Sequence, residues 1–156
     1  MINISIPGYG DASYGSLVLD YNGTLAIDGK VIDGVMERLK TLSQSLEIHI
    51  LTADTFGTVK AAFEGTGFTV SVLGKEAQDL AKQQYVVEQG AKKTIAVGNG
   101  RNDCLMLEKA ALGIAVVGAE CAAGVAVQAA DIVAPNILCA LDLLLKPLRL
   151  IATLRS

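Results

Sequence analysis

The feature that most constrains this chain is an alternation. Short, almost wholly apolar runs take turns with segments whose apolar residues recur at helical spacing. Strand patterns fall at 15–20, 46–52, 69–73, 93–97, 112–116 and 131–133. Helical patterns fall at 33–43, 55–63, 76–89, 103–111, 119–129 and 137–145. In the first of these helices Val35, Met36, Leu39 and Leu42 share a face, and Asp33 is the expected N-cap. Runs that are apolar throughout suit strands covered by helices on both faces. The alternation therefore predicts a doubly wound, Rossmann-like α/β fold: a three-layer sandwich with a mainly parallel sheet. Three of its strands end in polar residues, at Asp20, at Thr52 and at the glycine-rich turn 98–103. Such sheets bind ligands outside the carboxyl ends of their strands, so the three ends point to one site.

Composition narrows the function classes. The 156 residues predict one domain, 1–156, able to bury about 70% of its unfolded surface. Half the chain is apolar (51%), which excludes a disordered chain. Thirteen basic against sixteen acidic side chains, net −3, argue against a nucleic-acid partner. With no Trp and 4% aromatics there is no base-stacking platform. Neither a signal peptide nor an uninterrupted apolar span is legible, so the expected location is the cytoplasm, with no membrane partner. Cys104, Cys121 and Cys139 are odd in number and widely spaced, as expected for buried, reduced thiols rather than a disulfide frame or zinc site. The single histidine, His49, lies inside a strand pattern and is expected to be structural.

Four motifs carry the chemistry. LVLDYNGTL (17–25) puts a carboxylate at a strand end before a glycine turn; Asp20 there suits a nucleophile or a hard-metal ligand. IHILT (48–52) ends a strand on a hydroxyl. AKQQYVVEQ (81–89) carries Lys82 on a helix. GNGRNDCLML (98–107) follows a strand, opens a helix and offers Asp103. Each alone is as readily a turn, a strand end or a helix-face charge.

Together, in this order, they resemble the haloacid dehalogenase-like (HAD) superfamily of phosphotransferases. The likeness is closer still to the phosphorylation domain of P-type ATPases, through LTADTFGTVKAAFEGTGF (51–68), ALGIAV (111–116) and AADIV (129–133). It covers residues 15–145. The intervals from Asp20 to Thr52 and from Thr52 to Lys82 are already filled by core elements. Neither leaves the roughly 40 residues that a separate cap domain needs, so a capless relative is expected.

The resemblance implies an aspartyl-phosphate at Asp20. It also implies Mg2+ held by Asp20, the Asn22 carbonyl, Asp103 and Asn99. Phosphoryl oxygens would be held by the Thr52 hydroxyl, the Lys82 ammonium and backbone donors of Tyr21, Asn22, Gly23, Thr24 and Ala53, with Asp20, Thr52 and Lys82 as the catalytic group. Lys75 is the other lysine in reach of the third motif. The expected substrate is a phosphorylated small molecule or macromolecule. The apolar stretch 141–150 leaves a homo-oligomer interface or a core helix open.

Two residues depart from the family pattern. Asn22 stands where its phosphatases carry an acid/base Asp, and Asn99 where a second Asp is common. General acid–base help is worth typically 10²–10⁴-fold. Two functions therefore remain: an Mg2+-dependent phosphatase or phosphotransferase, slow or selective for good leaving groups, and a phosphate-binding or regulatory module of the same fold with little catalysis.

Overall fold

A computed structural model of the chain describes residues 1–54 and 57–156. Six parallel strands form its centre: β3 (Ser16–Asp20), β6 (Glu47–Thr52), β7 (Thr69–Val72), β8 (Thr94–Gly98), β9 (Leu112–Val116) and β10 (Ile132–Ala134). Their order is β10-β9-β8-β3-β6-β7. The chain thus winds outward from β3 in one direction, then returns to β8 on the other side of β3 and winds outward again. Asp20 and the turn after Gly98 end neighbouring strands at that reversal, where the β3–β8 register pairs Leu19 with Val97.

Period-two side-chain alternation sorts the core into two layers. Leu17, Leu19, Ile50, Ile95, Val97 and Ile114 face one cluster. It is closed by α1 (Val35–Leu42), α2 (Thr58–Ala62), α6 (Ile137–Leu145) and α7 (Pro147–Leu154). Val18, Leu51, Ala96 and Ala115 face the other, closed by α3 (Gln78–Glu88), α4 (Cys104–Lys109) and α5 (Gly124–Ala129). This is the expected three-layer α/β sandwich. Among the described residues no helix is long and apolar enough to cross a membrane.

Several local expectations are corrected. The N-terminal end of α1 is capped by Gly34 in the left-handed region, not by Asp33. Of the helical pattern 55–63, Thr55 and Phe56 lie outside the described residues. Two small antiparallel pairs add to the pattern: β1 (Ile2–Ile6) with β2 (Gly10–Tyr14), and β4 (Ala26–Ile27) with β5 (Lys30–Val31). The first pair buries Tyr14 against the larger cluster, with Ile2, Ile4 and Ala12 packed on it, at the strand ends remote from Asp20. The second follows the Asp20 turn. The cysteines are not buried: Cys121 and Cys139 are exposed and Cys104 half-buried, all as free thiols. His49 is structural, as expected. Its Nδ1 lies 3.0 Å from Tyr85 Oη, which also accepts from Ser71, and burial lowers its pKa.

Part of the stretch 141–150 packs in the core: Leu141, Leu144 and Leu150 are buried. Ile137, Ala140, Leu141 and Leu144 of α6 are buried, and Arg38 Nε reaches Asp142 Oδ1 at 2.8 Å to tie α6 to α1. Leu148, by contrast, is 81% exposed. Truncating a fully buried leucine costs about 2–5 kcal/mol, whereas exposed sites change stability by about 0.5 kcal/mol or less. Urea unfolding should show Leu141→Ala in the first range and Leu148→Ala in the second. Equal effects would mean that α6 does not pack as described.

Candidate active site

The site is built where β3 and β8 end. Asp20 is the last residue of a strand buried at every position. The chain turns sharply after it, through Gly23 at φ +79. A side chain at residue 23 would meet Asn99 Nδ2 at 2.5 Å and Glu120 Oε2 at 2.9 Å, so only glycine admits both neighbours. The turn brings Thr24 Oγ1 to 3.0 Å from Asp20 Oδ2. On the neighbouring strand Gly98 has the same steric role. A Cβ there would lie 2.5 Å from Asp103 Cγ. The bare backbone lets Asp103 fold back so that Oδ2 accepts the N–H groups of Asn99 (2.9 Å) and Gly100 (2.8 Å).

Lys82 enters from α3. Its Nζ lies 2.7 Å from Asp20 Oδ1 and 2.6 Å from Asp103 Oδ1, and the three side chains are almost fully buried. Burial alone pulls the Lys82 ammonium down. Asp20 and Asp103 more than offset this and hold its pKa above the ordinary value. Burial, and then the Asp103 charge, push the Asp20 carboxyl up to about 7 against the pull of Lys82 and Thr24. Thr24 Oγ1 also lies 3.2 Å from Asn99 Oδ1. One hydroxyl proton cannot serve both acceptors. With Asp20 protonated, its own proton bonds Thr24 Oγ1 and the Thr24 proton goes to Asn99, so every partner is satisfied.

Sequence reasoning placed Asp20, Lys82, Asp103, Asn99 and Thr24 here, and the fold brings these five together. Lys82, not Lys75, bridges the carboxylates; Lys75 is exposed on the approach to α3. Thr52 is buried one strand away, its Oγ1 accepting from Asp54 N–H at 3.0 Å. The backbone donors of the first turn are a correction. The N–H groups of Tyr21, Gly23 and Thr24 are spent on Leu51 O, Ala26 O and Tyr21 O. Among the described residues, those of Asn22 and Ala53 have no internal acceptor. The Tyr21 side chain is buried with its hydroxyl on Gly29 O, away from any ligand. The Asn22 side chain is exposed.

Three neighbours escaped the sequence reading. Asn102 Nδ2 donates to Gln78 Oε1 at 2.7 Å. Glu120 Oε1 accepts from Asp28 N–H at 3.0 Å. Asn102 stands in the fourth motif and Gln78 one turn before Lys82, so motif position and helical spacing were available signals. For Glu120 there was none.

The donor set suits a hard divalent cation. Two carboxylates and one ammonium leave a net −1, and an incoming phosphate dianion would raise that to −3. The donors that the fold brings together here are oxygens, those of Asp20, Asp103 and Asn99. Asn99 Oδ1 keeps a second lone pair beside its contact with Thr24. Among the described residues no cluster of three or more His, Cys, Asp or Glu offers a metal site.

A carboxyl raised to about 7 in the folded state, against 3.8 as its ordinary value, stabilises the fold fully below about 4 and loses that contribution as pH rises through 7. The melting temperature of metal-free protein should therefore fall between about pH 5 and 8. Asp20→Asn should flatten that slope; an unchanged slope would assign the titration elsewhere.

No family model matches the chain. An uncharacterized protein of Methanocaldococcus jannaschii is 52% identical over 69 residues, 44% of this chain and 74% of that protein. The copper-exporting P-type ATPase of Staphylococcus aureus is 33% identical over 112 residues, 70% of this chain; the chain spans 14% of that ATPase's length. Among solved structures, a protein described as a HAD family hydrolase from Streptomyces avermitilis superposes with a TM-score of 0.62 at 27% identity, covering 78% of this chain and 75% of that one. The 3-deoxy-D-manno-octulosonate 8-phosphate phosphatase of Moraxella catarrhalis, solved with magnesium, phosphate and the sugar acid, superposes at 0.64 with 18% identity, covering 91% and 94%. With the sheet order, the four motifs in sequence and the Asp20–Lys82–Asp103 cluster, these likenesses converge: the chain has the fold of the haloacid dehalogenase-like hydrolases, and among the described residues no separate cap domain interrupts it.

Proposed function

We propose that the protein is a phosphoric monoester hydrolase that works through an aspartyl-phosphate on Asp20. The observation that carries this is the Lys82 ammonium held between the Asp20 and Asp103 carboxylates at the strand ends. The phosphatases among its structural neighbours support the same reading.

In this reading an ionised Asp20 oxygen attacks phosphorus. The Asp20 O–P bond forms and the bond to the leaving oxygen breaks. Asn22 has no proton to give, so the leaving group departs as an anion or takes its proton from water. Esters with acidic leaving groups are therefore favoured. Water then attacks the phosphorus of the acyl phosphate, which frees inorganic phosphate and restores Asp20. Lys82 holds a phosphoryl oxygen and offsets the repulsion between carboxylate and dianion. The N–H groups of Asn22 and Ala53, which have no acceptor among the described residues, and the Thr52 hydroxyl are the remaining donors. Mg2+, held by Asp20, Asp103, the Asn22 carbonyl and Asn99, would neutralise charge on the transferring group when bound.

The test is release of phosphate from acetyl phosphate and p-nitrophenyl phosphate, with and without Mg2+, beside Asp20→Asn. Release should need both Mg2+ and Asp20. Phosphate binding without release in either assay would favour the second reading, a regulatory module. That reading draws on the neutral, exposed Asn22. Asn22→Asp should raise turnover of phenyl phosphate, whose leaving group is poor, by about 10²-fold or more if the missing acid is the bottleneck.

Asn99 has a second duty that a carboxylate cannot perform. Its Nδ2 donates to Cys121 O at 2.9 Å, and its own carbonyl accepts from Ala123 N–H, so it fastens the loop 117–123 to the Asp20 turn. Asn99→Asp would set an oxygen against that carbonyl. It should cost the metal-free protein about 1–2 kcal/mol in urea unfolding. An unchanged midpoint would remove the fastening role.

A further inference from the structure

Lys75 and Arg101 take no part in the chemistry above, yet they line one cavity. It has a volume of about 550 Å³ and also touches Gln78, Asn102, Leu105 and Val125. This lies within the about 300–1,000 Å³ usual for small-molecule sites. It opens on the rim where the strands end, between the starts of α3, α4 and α5.

Its position relative to the reacting carboxylates follows from the chain. Gln78 stands four residues before Lys82 on α3, hence on the same face one turn away. Asn102 immediately precedes Asp103. The 2.7 Å hydrogen bond between Asn102 and Gln78 joins these two elements at the cavity. A molecule whose phosphoryl group lay at Asp20 would have this space beside it.

The lining is charged in one sense. Neither the Lys75 ammonium nor the Arg101 guanidinium has a carboxylate within ion-pair distance among the described residues. Asp79 is the one acid on the lining, and its Oδ1 accepts from Leu80 N–H at 2.9 Å. The net lining charge is +1. Leu105 and Val125 give the same space an apolar part for a carbon skeleton, and Gln78 and Asn102 a polar one.

We propose that this cavity is a leaving-group subsite, and that it selects phosphate monoesters whose leaving group itself carries an oxyanion, a carboxylate or a second phosphate. Arg101 and Lys75 are its specificity-determining residues. The proposal rests on the phosphatase reading for the name of the subsite, but its test does not need turnover.

Binding of three non-hydrolysable probes by calorimetry, in Mg2+, provides that test: 4-carboxyphenylphosphonate, its uncharged isostere 4-carbamoylphenylphosphonate, and 1,4-benzenediphosphonate. At least one charged probe should bind about tenfold tighter than the carbamoyl compound. Whichever charged probe gains more identifies the oxyanion. Lys75→Gln and Arg101→Gln, both at exposed side chains, should each erode that preference, and together they should abolish it. Equal binding of all three probes, or a preference that survives the double substitution, overturns the subsite. Hydrolysis of acetyl phosphate and p-nitrophenyl phosphate, the substrates the phosphatase reading favours, is followed in parallel. Its absence alongside an intact charge preference would refute the phosphatase reading and leave the anion subsite standing.

Discussion

The Lys82 ammonium between two buried carboxylates is the interaction on which the rest of this site depends. Two carboxylates brought together out of water repel each other and favour protonation. One ammonium at 2.6–2.7 Å from each holds them as a unit. Removing a partner from such a buried cluster is far costlier than never having built it, because a charge is left without compensation. The architecture follows from that need. Asp20 and Asp103 come from the ends of neighbouring strands and each has a bare glycine in the turn beside it, while Lys82 comes down from a helix on one face.

Much of this was legible. The strands are apolar throughout because both sheet faces are covered, and that made their number and alternation readable. The carboxylates stood out because each interrupts an apolar run beside a glycine. What was not legible lacked such a signal. β1 is the exception, because Ile2, Ile4 and Ile6 alternate with Asn3 and Ser5 and that strand was readable; its partner β2, Gly10–Tyr14, carries no such run of large apolar residues. β4 and β5 are two residues each, held by pairing with each other and by the fold of the Asp20 turn. Asp33 was the better capping residue by type, yet Gly34 takes the cap position because the chain enters α1 through a left-handed residue. The backbone donors of the first turn were misjudged because sequence does not show where a turn spends its N–H groups.

The two asparagines illustrate the difference between a lost function and a changed one. From sequence each is a missing negative charge. In the folded chain they part company. The Asn22 side chain points to solvent, so it is free to vary without structural cost. Asn99 is engaged on both sides of its amide, with Thr24 and with Cys121. A neutral donor–acceptor at this point couples the Asp20 turn to the loop 117–123, beside the Asp28–Glu120 hydrogen bond.

The site draws on residues 20, 82 and 103, which are far apart in the chain and meet only through the pairing of β3 with β8 and the docking of α3. Loop-closure entropy must be overcome before such distant contacts are rewarded. Isolated segments of this protein, however well they form their own helices, therefore carry none of its chemistry. On the ribosome, Asp20 emerges long before Lys82 and Asp103 and stays without them until the second half of the sheet has been made.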